Sequence, residues 1–147
     1  IRRSLVLRVQ VMSIYLSHFK ARCALAVAAE GGPQSGEMLR EALRIGGRLQ
    51  RVPARWSRGP AHLVLAGHAM LSGDRARATR QLQQGLEELQ AAEMALYAAC
   101  TQHRLGQLVG SDAGRSLLEQ SHRWFAEKSV VNPQALTDLL VPGFPRE

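Results

Sequence analysis

Apolar residues recur through residues 1–30 with the spacing of a long helix. An apolar residue or a cysteine occupies each of positions 5, 9, 12, 16, 19, 23 and 27, in steps of three or four residues. Such steps keep side chains on one face of an α-helix. A second apolar row contains Leu7, Val11, Ile14 and Leu25. The two rows together predict a helix that is covered on two sides, as in a layered bundle or a helical repeat.

Turn-forming residues divide the rest of the chain into shorter helices. The turns are rich in Gly, Pro, Ser and Asp, and lie at residues 31–33, 53, 72–74 and 110–112. Helix-capping side chains are expected at Ser35, Asp74 and Asn132. Gly59 and Pro60 are candidates for a break in the third helix. No stretch of strict apolar and polar alternation is long enough to predict a strand.

The predicted fold is all-α, an array of about three antiparallel helical hairpins within one domain. The hairpins cover about residues 5–51, 54–91 and 92–129, and a short C-terminal capping helix covers about 133–140. An array of this kind has a concave face, on which we expect a partner segment or a neighbouring domain to lie. The chain is expected to be part of a longer polypeptide.

One segment resembles the tetratricopeptide repeat, in which small residues let two helices pack closely around a Gly-Asp turn. The residues that carry this resemblance are Leu65, Ala66, Ala69, Gly73, Asp74, Ala78, Leu82 and Leu86. The resemblance implies that the all-α array of hairpins and its C-terminal capping helix are tetratricopeptide-like, and that the domain binds other proteins.

The C-terminal part resembles the extreme C-terminus of large bacterial signalling proteins, in which a serine/threonine kinase or NTPase module precedes helical repeats. Residues common to the resemblance are Arg104, Leu105, Gly106, Leu108, Gly110, Gly114, Arg115, Trp124, Asn132, Pro133, Leu139, Leu140, Pro142 and Gly143. The resemblance implies that this chain is the repeat region of such a protein. The chain carries no phosphate-binding loop and no kinase catalytic motif, so no catalytic residue of a kinase can be assigned to it.

Charge is distributed unevenly along the chain. Residues 1–60 carry a net charge of +8 and residues 61–147 a net charge of −1, which together give +7. Within them Arg40, Arg44, Arg48 and Arg51 recur at steps of four, four and three, which places them on one strip of a helix. The strip is either a binding face for an acidic or phosphorylated protein, or a solvated face on which Glu37 and Glu41 pair with nearby arginines.

The N-terminal half has features that fit two other partners, nucleic acid and a second copy of the chain. A basic helical regulator could contact nucleic acid through phosphates, although Trp56 is the one aromatic residue near the arginine strip and stacking residues are lacking. A homodimer could form through the N-terminal helix at Leu7, Val11 and Ile14. Protein–protein recognition is the preferred function, and nucleic-acid binding is the alternative.

The titratable residues predict no reaction. Cys100 and His103 lie three residues apart but lack further metal ligands, so neither a metal nor a cofactor is expected. Cys23 and Cys100 are too few for a disulfide scaffold, which favours the cytoplasm. The chain is therefore predicted not to be an enzyme in this region. The longest uncharged stretch of the first helix is too short to cross a membrane.

Overall fold

The computed structural model describes residues 2–145, with side chains from residue 8 onwards, and this part of the chain is all-α. Its helices are α1 (Arg2–Ala29), α2 (Ser35–Gln50), α3 (Arg55–Leu71), α4 (Arg75–Ala91), α5 (Ala95–Val109), α6 (Asp112–Glu127) and α7 (Pro133–Leu140). The pairs α1 with α2, α3 with α4, and α5 with α6 form hairpins, and each hairpin packs on the next. The predicted array of three hairpins and a short last helix is confirmed.

Two of the three predicted caps are formed. The carboxylate of Asp74 accepts a hydrogen bond from the Arg77 amide at 2.9 Å, and Asn132 Oδ1 accepts one from the Ala135 amide at the same distance. The Ser35 cap is wrong, because α2 starts at Ser35 itself after a helical Gln34. No break occurs at Pro60, which lies inside a continuous α3.

One type of turn ends three of the helices. At residues 69–74, 89–94 and 125–130 the last amide of each range donates to the first carbonyl across 2.9 Å. This six-to-one bond requires a left-handed residue just past the helix. Gly73, Glu93 and Ser129 occupy that place with φ values of +82°, +58° and +55°. The helix predicted to begin at residue 92 begins instead at Ala95. Nothing in the sequence indicates this turn, because glutamate has no preference for the left-handed conformation of Glu93.

The hairpins enclose two apolar clusters. The first joins α1, α2 and α3 through residues such as Leu25, Ile45 and Val64. The second contains residues of all five helices from α3 through α7, and Phe125 is one of its largest fully buried side chains. Phe125 and Leu140 share this cluster and Trp124 packs at its edge, whereas Leu139 is largely exposed. The last helix therefore covers the end of the array with only part of its apolar surface.

Candidate protein-binding surface

The face that α1, α3 and α5 share is covered by the chain's own C-terminal segment, residues 133–144. Arg22 of α1 donates to the Leu139 carbonyl at 3.2 Å, and Val141 and Phe144 are buried in the cluster formed by α3 and α5. A Cβ atom on Gly67 of α3 would lie 2.5 Å from the Pro142 carbonyl oxygen. Residues 133–144 thus cover part of the face that α1, α3 and α5 share.

Arg104 fixes this segment in place. Its side chain is almost fully buried, and Nη2 donates to Asp138 Oδ1 at 2.7 Å and to the Val141 carbonyl at 3.4 Å. The guanidinium also lies over the Phe144 ring, 5.1 Å from its centroid. Since a buried guanidinium is costly unless it is paired, these contacts together hold α7 and the following residues against α5.

The second surface of interest is the outer side of α1. Val9, Met12, Leu16 and Phe19 are 65%, 58%, 62% and 55% exposed, whereas Ile14 is only 5% exposed. The apolar row that begins at residue 5 therefore faces outward within the described side chains, and the row that contains Ile14 faces the core. The expectation that α1 is covered on two sides is wrong, because its outward row, which includes Val9, Met12 and Leu16, is exposed.

The orientation of α1 also decides whether the residues predicted for a homodimer are exposed. Ile14 is buried inside the chain, Val11 is 37% exposed, and the side chain of Leu7 lies outside the described part of the structure. The exposed apolar face of α1 is instead Val9, Met12 and Leu16.

A hollow of about 630 Å³ lies between the exposed row of α1 and the adjoining face of α2. Its floor includes Val9, Met12, Leu16 and Ile45. Its charged lining residues are all basic: Arg8, Lys20, Arg44 and Arg48. The surface combines an apolar floor with a positive rim, which is the composition of a site for an acidic, partly apolar ligand.

The arginine strip is exposed at all four positions, as both a binding face and a solvated face require. Arg44 is engaged by Glu41, with both Nε and Nη2 at 2.7 Å from the carboxylate oxygens, and Lys20 bonds the same carboxylate at 2.8 Å. These two cations hold the pKa of Glu41 at about 2. Arg48 lines the hollow beside α1, and Arg40 lines a second hollow farther along α2. Arg51 is the C-cap residue that follows the last residue of α2.

The candidate chemical residues are placed as structural groups. Burial raises the pKa of the Cys100 thiol to about 11, so it is protonated at neutral pH and is a poor nucleophile. His103 lies between Ser121 and Gln134 in the core. Among the residues that the structure describes, no group of three or more His, Cys, Asp or Glu could hold a metal ion, and none of their helices is long and apolar enough to span a bilayer.

The sequence identified the arginines of α2 but missed their apolar neighbours on α1. Both apolar rows of α1 have helical spacing, and nothing in that spacing states which row is covered. The signal that could have separated them is charge, since Arg8 and Lys20 flank the row that the structure exposes.

Comparison of the chain with protein-family models, with curated proteins and with solved structures finds no match. The resemblance to the tetratricopeptide repeat and to the C-terminal region of bacterial kinase and NTPase proteins therefore stays a prediction.

Proposed function

We propose that this chain is a non-catalytic protein-interaction domain that binds its partner on the outer side of α1 and α2. The observation that carries the proposal is the exposed row of Val9, Met12 and Leu16 beside the arginines of α2. Contiguous apolar residues with a polar rim are typical of protein-binding surfaces, whereas isolated exposed apolar residues need no explanation.

The use of buried titratable groups in the core supports a role in recognition. Buried titratable groups such as Cys100 and His103 are used in packing and hydrogen bonding. A repeat array can present side chains on rigid helices without chemistry of its own. The parent polypeptide, if it resembles bacterial signalling kinases, would use the domain as a scaffold in the cytoplasm, where the exposed Cys23 stays reduced.

The apolar floor favours a protein over nucleic acid as the partner. Phosphate contacts need exposed cations, which Arg40, Arg48 and Arg51 provide, but they do not need an apolar row. Base stacking would need aromatic side chains in the groove, and its described lining residues include none.

The proposal is tested by site-specific crosslinking in the cells that produce the protein. A photoreactive amino acid replaces Met12 in one variant and Val131, a 98% exposed residue on another part of the surface, in a control. We expect a defined protein adduct from position 12 that is absent from position 131 and is lost when Leu16→Glu is added. The partner protein identified from the adduct should then be purified, and it should bind the purified chain more weakly when Leu16→Glu is present.

Two results would contradict the proposal. One is the same set of weak adducts from positions 12 and 131, which indicates chance collisions. The other is a nucleic-acid adduct from position 12 that survives Leu16→Glu, which would support the alternative function of a basic regulator.

A further inference from the structure

The exposed row of α1 has the spacing of a coiled-coil seam. Val9, Met12, Leu16, Phe19 and Cys23 follow one another in steps of three, four, three and four residues, which are the a and d positions of a heptad repeat. The core uses a separate set of α1 residues, including Ile14, Ala21 and Leu25. The exposed seam is therefore not needed to fold the hairpin, and its spacing matches the face of one further helix.

The flanks of the seam determine which helix fits. Arg8, Lys20 and Arg22 flank it, and α1 contains no Asp or Glu. Glu41 of α2 bonds Lys20 and Arg44, so two of the cations that line the hollow are already paired with a carboxylate. Arg8 and Arg48 are left as the cations that face the open side. In coiled coils, charges that flank the seam select the partner, and like charges oppose pairing.

This charge pattern argues against a second copy of the chain. A second α1 would bring its own Arg8, Lys20 and Arg22 against the same basic residues in either orientation. The arginines of α2 would add to the repulsion. A helix with acidic flanks would instead pair with Arg8 and Arg48 while its apolar seam covers Val9, Met12 and Leu16.

We infer that the partner is an acidic amphipathic α-helix of a separate protein, which docks along α1 over the hollow beside α2. The inference rests on the proposed function and specifies the chemistry of the partner. Apolar a and d residues of the docked helix pack against Val9, Met12 and Leu16. Glutamates beside that seam accept charge-assisted hydrogen bonds from Arg8 and Arg48.

The test uses three synthetic helical peptides that share one Leu and Ile heptad seam and differ only in their flanking residues. One carries Glu, one carries Gln and one carries Lys at the flanks. Each is titrated into the 147-residue chain by isothermal calorimetry. We expect the Glu peptide to bind about tenfold or more tightly than the Gln peptide, and the Lys peptide not to bind, with the difference shrinking as salt is added.

Variants of the chain localise the binding. Leu16→Glu should weaken the Glu peptide about tenfold or more, because it places a carboxylate in the seam, and Val131→Glu is the matched control that should leave binding unchanged. Arg48→Glu should weaken the Glu peptide and strengthen the Lys peptide. Circular dichroism checks that each variant keeps its helices, which is expected because the substituted side chains are exposed.

Each contrary result has a separate meaning. Equal binding of all three peptides would overturn the acidic partner, while the crosslinking from position 12 could still support the proposed function. Binding of none, with a crosslink that still depends on Leu16, would show that the partner is not a helix of this kind. Sedimentation that shows a dimer broken by Leu16→Glu would assign the seam to a second copy, and binding of duplex DNA unaffected by Leu16→Glu would assign the surface to nucleic acid.

Discussion

Gly67 of α3 and Gly143 after α7 touch backbone to backbone. A Cβ atom on Gly143 would lie 2.8 Å from the Gly67 Cα atom, and Gly143 has a φ of +95° that other residues rarely adopt. The contact joins residues distant in the chain, and it brings the C-terminal segment onto the face shared by the odd-numbered helices. No helical pattern in the sequence encodes it.

Gly67→Ala is expected to destabilise the chain by about 1–3 kcal/mol, because its methyl group would overlap the Pro142 carbonyl oxygen and Leu25. Urea unfolding measures the free energy, and amide exchange of residues 133–145 shows whether the segment is released. Gly47→Ala is the control, since nothing lies within 4 Å of its added Cβ. That change should stabilise α2 by up to about 1 kcal/mol. Equal effects of the two substitutions would refute the close contact.

Asp138→Ala is expected to cost about 3 kcal/mol, because it leaves the buried Arg104 guanidinium without its carboxylate. The double variant Arg104→Met, Asp138→Leu removes both charges and should be less destabilised than Asp138→Ala. Urea unfolding of the native chain, Asp138→Ala and the double variant measures their free energies of unfolding and tests this order. A double variant that is the least stable would show that the packing of Arg104, rather than its charge pairing, holds the segment.

Glu93→Gly and Ser129→Gly are each expected to raise the free energy of unfolding by about 0.5–1 kcal/mol. Both residues are exposed and are held at positive φ by the turn that follows their helix, and glycine relieves that strain. Glu93→Ala is the matched control, because alanine keeps the Cβ atom and should give no such gain. A similar melting temperature for the Gly and Ala variants would contradict the assigned left-handed backbone.

His18 is expected to make the chain less stable as the pH falls below about 6.5. Burial lowers its pKa from 6.5 to about 3, and the charge of Arg22 adds to this shift. The unfolded chain therefore binds a proton in this range that the folded chain does not bind. The free energy of unfolding should fall by about 2 kcal/mol between pH 7 and pH 5.

Urea unfolding at the two pH values measures this slope in the native chain and in His18→Gln, which should be clearly flatter. Partial burial also lowers the pKa of His68, so His68→Gln is the comparison and should flatten the slope less. Glu41 titrates below this window. An unchanged slope in His18→Gln would show that His18 is protonated in the folded state.

The positions of the helices could be predicted from the sequence because apolar spacing and capping chemistry are local. Asp74 and Asn132 cap the helices that follow them, as their side chains predict. The start of α5 was missed because its turn places Glu93 in a conformation that backbone hydrogen bonds impose, against the preference of the residue. The arginines of the candidate site were found from helical spacing alone, whereas their exposure is a finding of the tertiary structure.

The sequence by itself determined that the chain is helical, how its helices pair, and that one face of α2 is basic. Only the tertiary structure decided which apolar row of α1 is buried, because helical spacing gives the angle between side chains but not the neighbour that each one meets. The same limit applies to Arg104, whose partner Asp138 is brought close by the return of the chain after α6. Periodicity is a property of one helix, whereas a binding surface depends on which faces the other helices leave uncovered.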